Sequence, residues 1–369
     1  MKQIVTTAMA AGILFGGAFT GYAADAANSP LSAELNYTFE SVHNFAGGLK
    51  RGTENLGSGT AGITVDLDKA KLWPGATVYV EFLLDHGRDP SATLIGDIQT
   101  ASNIADGNRT RLQQFWIEQS LMDEKLSLLF GTHDLNSEFE VTEYGGLFTN
   151  SSFGVTPEIS GNVTMSIFPA AGLALRAAYQ LDEHVSMRVA AYDGDPTTRA
   201  LHAREGYMYI GEAGYASDEA AYKVGIWRHT KGFNNGAGKG LNGIYALVDQ
   251  PLMAVGAGQL GIFMQLGTAQ AGAEKIKNYV GLGLHLSSPL ADRQDDEAGI
   301  AFARAAFSSK YRADKPGFKS DEKVIELTYR AQVTDWLALQ PAFQYIIAPS
   351  GNPANHNASV GLLRFEFGM

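Results

Sequence analysis

The sequence of 369 residues contains no cysteine, and only 18% of its residues are charged. The absence of cysteine excludes disulfides, thiol chemistry and zinc sites with cysteine ligands. A low charged fraction combined with 45% hydrophobic residues does not fit intrinsic disorder. The net charge of −11 argues against nucleic-acid binding, which requires a basic surface. The composition therefore describes an ordered protein with no nucleic-acid partner.

An apolar run long enough for a membrane helix is also missing. The apolar segment from Ala8 to Phe19 is shorter than the roughly 20 residues that span a bilayer. Lys2 precedes this segment and small residues follow it, as in a secretory signal peptide. The alternative is a buried N-terminal helix. We predict a signal peptide at 1–23, with cleavage after Ala23 or else Ala26, and a mature domain at 24–369.

What the sequence does contain is a period of two in its apolar residues. In the segment 33–40, Ala33, Leu35 and Tyr37 alternate with polar residues. Successive side chains of a strand point to opposite faces, so this alternation predicts a strand with one apolar and one polar face. The same pattern predicts strands at 33–40, 60–67, 76–85, 111–121, 125–132, 172–180, 184–193, 207–216, 221–229, 243–251, 259–268, 279–287, 299–308, 324–333, 336–347 and 357–367.

The connections between these strands alternate in length. Those after odd strands are long, including 41–59, 86–110 and 133–171, whereas most of those after even strands are short; 288–298 is the main exception. Many of the strands have about 9–11 residues, the length that crosses a membrane at a barrel tilt. We therefore predict an all-β fold, a transmembrane antiparallel β-barrel of about 16 strands in the outer membrane. A soluble all-β sandwich or propeller is the alternative.

The polar face of such a barrel lines a water-filled interior. Carboxylates and amides accept hydrogen bonds, guanidinium groups donate them, and aromatic rings cover the apolar faces of sugars. A mixture of these side chains without one dominant sign of charge favours neutral polyhydroxy solutes. A general diffusion pore would show the same residues. The channel-lining or sugar-binding candidates on the strands are Arg111, Trp116, Glu118, Arg176, Arg188, Tyr192, Trp227 and Arg330.

The longest connection, 133–171, is rich in apolar and aromatic residues, unlike a solvated surface loop. A connection of this length in a compact fold is usually functional. We expect it to fold into the barrel as a constriction loop and to bring Glu138 and Glu140 into the channel. A loop packed on itself outside the barrel is the alternative.

Several segments of the chain are distinctive when they are taken in order. They include Gly96-Asp97-Ile98-Gln99, Trp116-Ile117-Glu118-Gln119, Ser137-Glu138-Phe139, Tyr192-Asp193-Gly194-Asp195-Pro196, Lys223-Val224-Gly225-Ile226-Trp227 and the run from Glu326 to Val333. Together they resemble the carbohydrate-selective porin family (OprB type) of Gram-negative outer membranes. The resemblance covers about residues 45–365. It implies a barrel with a constricted channel for passive diffusion of small sugars such as glucose.

An enzyme is the main alternative class of function. The sequence contains neither a Gly-x-Ser-x-Gly elbow nor a His-Glu-x-x-His zinc motif. Glu138 and Glu140 share one face of an extended chain, so a glycosidase-type pair of carboxylates is the remaining hydrolase hypothesis. We expect no enzyme activity, no cofactor and no metal. The expected partners are small carbohydrates, outer-membrane lipid and lipopolysaccharide, and the barrel-assembly machinery; the chain is a monomer or a trimer.

Overall fold

The computed structural model describes residues 29–217, 220–231, 240–270 and 272–368. The predicted signal peptide and its cleavage site lie outside these described residues. Within them, no helix has both the length and the apolar character needed to cross a membrane.

Sixteen antiparallel strands form a closed barrel in which each strand pairs with its neighbours in sequence and β1 pairs with β16. The predicted fold class is therefore confirmed. The strands are β1 (Leu31–Gly48), β2 (Gly52–Asp66), β3 (Ala76–Gly87), β4 (Arg109–Leu121), β5 (Leu126–His133), β6 (Gly172–Gln180), β7 (Val185–Asp193), β8 (Tyr207–Ala216), β9 (Ala221–His229), β10 (Leu241–Val255), β11 (Gly258–Ala269), β12 (Ile276–Ser287), β13 (Glu297–Phe307), β14 (Asp321–Thr334), β15 (Leu337–Ile347) and β16 (His356–Gly368).

The apolar face of each strand points away from the barrel. Leu175 on β6 and Ile226 on β9 are 60% and 65% exposed, whereas Arg176, the next residue after Leu175, is 3% exposed. Exposed apolar side chains in every second position form the band that faces lipid in a membrane barrel. The alternation in the sequence thus predicted correctly which residues face inward.

The two ends of the barrel differ. The turn rim carries the connections after even strands and both chain ends of the barrel, while the loop rim carries the connections after odd strands. Most turn-rim connections are short, and 288–296 is a longer one, as expected. The longest loop-rim connections are 88–108 and 134–171. This asymmetry is typical of outer-membrane barrels.

The prediction of a long connection at 41–59 is wrong. β1 continues to Gly48 and β2 begins at Gly52, so the two strands meet in a tight turn. Gly47 has a φ of 70°, and a Cβ atom there would lie 1.9 Å from the carbonyl oxygen of Asn357. The strands continue through residues such as Gly57 and Gly59, which pair with Phe39 and Tyr37 through the backbone but have no apolar side chain to alternate. Hydrophobic periodicity does not report such a pairing.

The connection from 134 to 171, called the inner loop, packs against the inside of the barrel wall. Phe139 and Ile159 of this loop are fully buried, and Phe148 is 1% exposed. The loop contains α1 (Pro157–Ser160) and short 3-10 turns at Leu135–Ser137, Tyr144–Leu147 and Ser151–Phe153. The segment 163–168 belongs to this loop and adds only an isolated bridge between Ile167 and Ala170. The other short elements are a π turn at Ser91–Ile95, α2 (Ser309–Arg312) and a 3-10 turn at Pro349–Gly351.

Small residues on the wall make room for the inner loop. A Cβ atom on Gly299 would lie 2.6 Å from the ring of Phe148, and one on Gly267 would lie 1.9 Å from the carboxyl group of Glu158. Such a close approach to a strand requires glycine. The inner loop and the wall are therefore matched in shape.

Candidate functional site

Carboxylates on the strands hold the inner loop in place. Glu326 on β14 accepts hydrogen bonds from the backbone N–H groups of Thr149 and Asn150, at 2.7 and 3.0 Å. Asp249 on β10 accepts two more from residues 143–144, at 3.0 and 3.1 Å. Irregular backbone that is buried needs acceptors for its N–H groups, and a carboxylate is a strong one. These contacts fix the loop on the β10–β14 side of the barrel.

A first group of paired charges, the β4–β8 cluster, lies on the wall and the start of the inner loop. Arg176 on β6 contacts Glu118 on β4 at 3.0 Å and Glu138 of the inner loop at 2.6 Å. Arg188 on β7 contacts Glu212 on β8 at 3.4 Å and Glu138 at 4.0 Å. Glu138 therefore joins two arginines of neighbouring strands. The structure brings together four of the predicted residues here, and Glu212 completes the cluster.

Aromatic residues border the β4–β8 cluster. The hydroxyl group of Tyr192 lies 3.0 Å from Nδ1 of His133, and the two rings are stacked. His133 also lies 3.6 Å from Glu138. The ring of Trp116 packs against Tyr79 at 5.2 Å between centroids and is 9% exposed. Trp116 and Tyr192 thus lie beside the charged groups, but each ring is held in contact with other protein groups.

A second group, the β13–β1 cluster, lies across the barrel. Arg330 on β14 contacts Glu366 on β16 at 2.8 Å and Glu297 on β13 at 3.8 Å. Arg364 on β16 contacts Glu366 at 3.7 Å, and its Nε donates to Glu40 on β1 at 2.6 Å. Of these five residues, only Arg330 was a site candidate from the sequence.

The two clusters lie on opposite walls. Arg176 on β6 and Arg330 on β14 are eight strands apart in a ring of sixteen. Both clusters pair every arginine with carboxylates, so they present hydrogen-bond donors and acceptors side by side without a field of one sign. A ring of unpaired arginines or lysines would instead favour anions.

Two candidates are covered instead of lining open space. Glu140 is fully buried within the inner loop, and its carboxylate accepts the N–H of Thr156 at 2.8 Å. Trp227 is 2% exposed and packs with Phe139 and Ile159 of the inner loop in one apolar cluster. Trp227 lies on the inward face of β9, but the loop covers that part of the wall. The expectation that the loop brings Glu140 into the channel is wrong, because its carboxylate is buried inside the loop against Thr156.

Arg111 occupies a different place from the other inward arginines. Its guanidinium donates to the carbonyl oxygens of Pro169 and Ala171, at 3.3 and 3.2 Å, at the end of the inner loop. In the described part of the chain, Arg111 contacts no carboxylate within 4.0 Å. Carbonyl groups at the end of the inner loop, and not its acidic side chains, therefore accept the hydrogen bonds of Arg111.

A buried pair of acids stabilises the inside of the inner loop. Oγ1 of Thr156 lies 2.8 Å from Glu140 and 2.9 Å from Glu158. The hydroxyl has one proton to donate, so the second short contact requires a proton on one of the carboxyl groups. Burial raises the pKa of Glu158 to about 8. Burial and repulsion from Glu158 raise the pKa of Glu140 well above its ordinary value. The pair therefore retains a proton at neutral pH.

The sequence did not reveal which acidic residues hold the inner loop or link other charged side chains. Glu326 and Asp249 hold the inner loop, and Glu297 links Arg330 to His285, whose Nε2 lies 2.9 Å from it. Their position on the polar face of a strand was visible in the alternation for Glu326 only. Their partners lie far away in sequence, and no local pattern connects them.

Three comparisons place these features among known proteins. The family model described as "Carbohydrate-selective porin, OprB family" matches residues 50–369. Porin B of Pseudomonas aeruginosa is 23% identical in an alignment 400 residues long, gaps included. The alignment covers 90% of this chain and 86% of that protein.

Solved structures show the same fold. The high-pH structure of Pseudomonas putida OprB matches with a TM-score of 0.82 at 21% identity, covering 92% of this chain and 94% of that one. Salmonella typhi OmpF in complex with daunomycin matches with a TM-score of 0.59 at 9% identity, covering 92% and 97%. These likenesses extend over nearly the whole barrel.

Proposed function

The chain belongs to the OprB family of carbohydrate-selective porins, and from that premise we propose that the β4–β8 and β13–β1 clusters select its sugars. The protein is an outer-membrane porin through which small carbohydrates diffuse passively, and it is not an enzyme. The finer proposal is that the inner loop narrows the channel and that sugars such as glucose pass between the two clusters.

The observation that carries this proposal is the pairing of the lumen charges. Arg176 forms ion pairs with Glu118 and Glu138, and Arg330 forms ion pairs with Glu366 and Glu297. A sugar hydroxyl both donates and accepts, so it can exchange its water contacts for contacts with either sign. An inorganic ion gains less, because the opposite charges beside it largely cancel.

The binding must remain weak for transport to proceed. A channel site has to hold a solute loosely enough to release it on the other side. Glu118 and Glu297 are both 27% exposed and Arg188 is 23% exposed, so water still reaches these groups and competes with the sugar. Trp116 and Tyr192 add apolar ring surface beside the β4–β8 cluster, which suits the C–H face of a pyranose.

Four further assignments complete the proposal. Residues 1–23 act as the signal peptide, and the loop rim is extracellular. Lipid and lipopolysaccharide surround the apolar band, and the barrel-assembly machinery inserts the mature chain. The apolar band supports the contact with lipid, and the difference between the two rims supports the orientation. The sequence pattern alone supports the signal peptide.

The test is solute uptake by vesicles that contain the refolded mature protein. We expect glucose influx to saturate with concentration and to exceed that of glutamine, a zwitterion of similar size. Arg176→Gln and Arg330→Gln should each reduce this preference, while Lys125→Gln in the exposed turn between β4 and β5 should not. A linear glucose influx equal to that of glutamine would make the protein a general diffusion pore.

A further inference from the structure

Arg111 and Arg199 form a cationic pair at the loop rim that the sugar pathway described above does not use. Arg111 is the third residue of β4, and Arg199 belongs to the exposed connection between β7 and β8. The guanidinium of Arg199 donates to the carbonyl oxygen of Leu112, the residue after Arg111. This contact brings the two side chains to the same part of the mouth.

Within the described residues, no carboxylate contacts either arginine of this pair. Arg176, Arg188, Arg330 and Arg364 each have a carboxylate within 4.0 Å, but in the described residues neither Arg111 nor Arg199 does. Both are held by neutral carbonyl groups, which orient a guanidinium without cancelling its charge. Nε of Arg111 is buried and has no hydrogen-bond partner.

The neighbours of Arg111 add to its positive potential. Repulsion from Arg199 is the largest interaction between Arg111 and another charge, and repulsion from Arg109 is the next. Asp106 attracts the charge of Arg111 less strongly than the two arginines repel it, and the Asp106 carboxylate is paired with Arg109 at 2.5 Å. Like charges held together in this way are unfavourable until an anion lies between them.

We infer that Arg111 and Arg199 bind the carboxylate of a sugar acid at the mouth of the channel. The planar fork of a guanidinium donates two parallel hydrogen bonds to a carboxylate, and two such groups side by side can hold one anion. The sugar part of the ligand follows from the proposed function of the channel, on which this inference rests.

The experiment measures single-channel current through the full-length mature protein in a planar bilayer. Glucuronate, glucose, acetate and inorganic phosphate are each added on the side of the loop rim. We expect glucuronate to reduce the current at lower concentrations than glucose or acetate. Arg199→Gln and Arg111→Gln should each raise the half-saturating concentration of glucuronate about fivefold, the usual size for a partly exposed charge contact.

Controls separate this site from a general effect of charge. Arg204→Gln removes an arginine from the same connection that is 71% exposed, and it should leave the glucuronate response unchanged. Arg199→Lys retains the charge but loses the fork, so it should give an intermediate response. Since Arg199 lies on the surface, its variants test the inference even where Arg111→Gln disturbs the end of the inner loop.

Specific results would overturn the inference. Equal reduction by glucuronate and acetate would show an unspecific anion site, and a stronger effect of phosphate would assign the pair to phosphorylated ligands. An unchanged glucuronate response in both glutamine variants would also contradict it. The vesicle assay with glucose and glutamine tests the channel itself, so loss of glucose preference there is distinguishable from failure of the arginine pair.

Discussion

The carboxylate of Glu326 on β14 accepts the backbone N–H of Thr149 at 2.7 Å, across 177 residues of sequence. The same carboxylate accepts the N–H of Asn150 and the hydroxyl group of Thr149. One acid on the wall therefore fixes the part of the inner loop that carries Phe148 and Phe153 into the apolar cluster. The position of the loop depends on this contact.

We predict that Glu326→Ala loosens the inner loop. Two buried N–H groups lose their acceptor, at a cost of about 1–3 kcal/mol for each unsatisfied group. Hydrogen exchange at residues 149–150 should accelerate, while exchange in β14 changes little. Glu326→Gln retains one carbonyl acceptor and should show a smaller effect. Glu183→Ala, in an exposed turn, serves as the control, and equally fast exchange in that variant would contradict the assignment.

Arg176 and Glu138 should have opposite effects on ion selectivity. Arg176→Gln leaves Glu118 and Glu138 without their partner and should favour potassium over chloride. Glu138→Gln leaves Arg176 and Arg188 in excess and should favour chloride. Each variant should change the permeability ratio roughly twofold in dilute salt, and the change should shrink in concentrated salt. Reversal potentials across a salt gradient measure the ratio.

The prediction for ion selectivity fails if both variants shift the reversal potential in the same direction. Lys125→Gln is the matched control, because Lys125 lies in an exposed turn away from either cluster. Any shift of the reversal potential in Lys125→Gln would measure the effect of removing a charge outside the two clusters.

Trp227 should act on stability through its packing against the inner loop. Because its ring is 2% exposed, Trp227→Ala leaves a cavity and should lower the free energy of unfolding by about 3–5 kcal/mol. Trp227→Phe should lose less, since most of the apolar contact remains. Thermal unfolding in detergent, followed by circular dichroism, provides the measurement. A wild-type midpoint in Trp227→Ala would show that the ring is not part of the packed cluster.

The proton held by Glu140 and Glu158 makes stability depend on pH. The pKa of Glu158 is about 8 in the folded protein, against 4.5 for an ordinary glutamate. Between these values the folded state binds more protons than the unfolded state, so stability rises as the pH falls from about 8 towards 4.5 and is lowest above 8.

Glu158→Gln should remove part of this dependence, because the amide is neutral at every pH. At pH values above 8 the variant should unfold at a higher temperature than the wild type, by roughly 5 °C. Glu183→Gln, at an exposed position, should follow the wild-type curve. A variant that is less stable than the wild type above pH 8, where Glu158 is deprotonated, would indicate that the carboxylate form is the stabilising one.

The alternation of the sequence was sufficient for the architecture. It predicted about sixteen strands and the inward face of residues such as Arg176, Arg188 and Arg330. These residues face inward because a charged side chain in contact with lipid destabilises the barrel. The alternation failed at 41–59, where β1 and β2 pair through residues such as Gly57 and Gly59 that carry no apolar side chain.

Only the tertiary structure decided which inward residues are paired, covered or free. Glu118, Glu140, Trp227 and Arg111 all look alike as polar-face or loop residues. One joins a charged cluster, one is buried within the inner loop, one lies beneath that loop and one binds carbonyl groups. A period of two specifies the face of a side chain but not its depth or its neighbours across the barrel. Those follow from the path of the inner loop, which is set by contacts such as Glu326 with Thr149 that no local pattern contains.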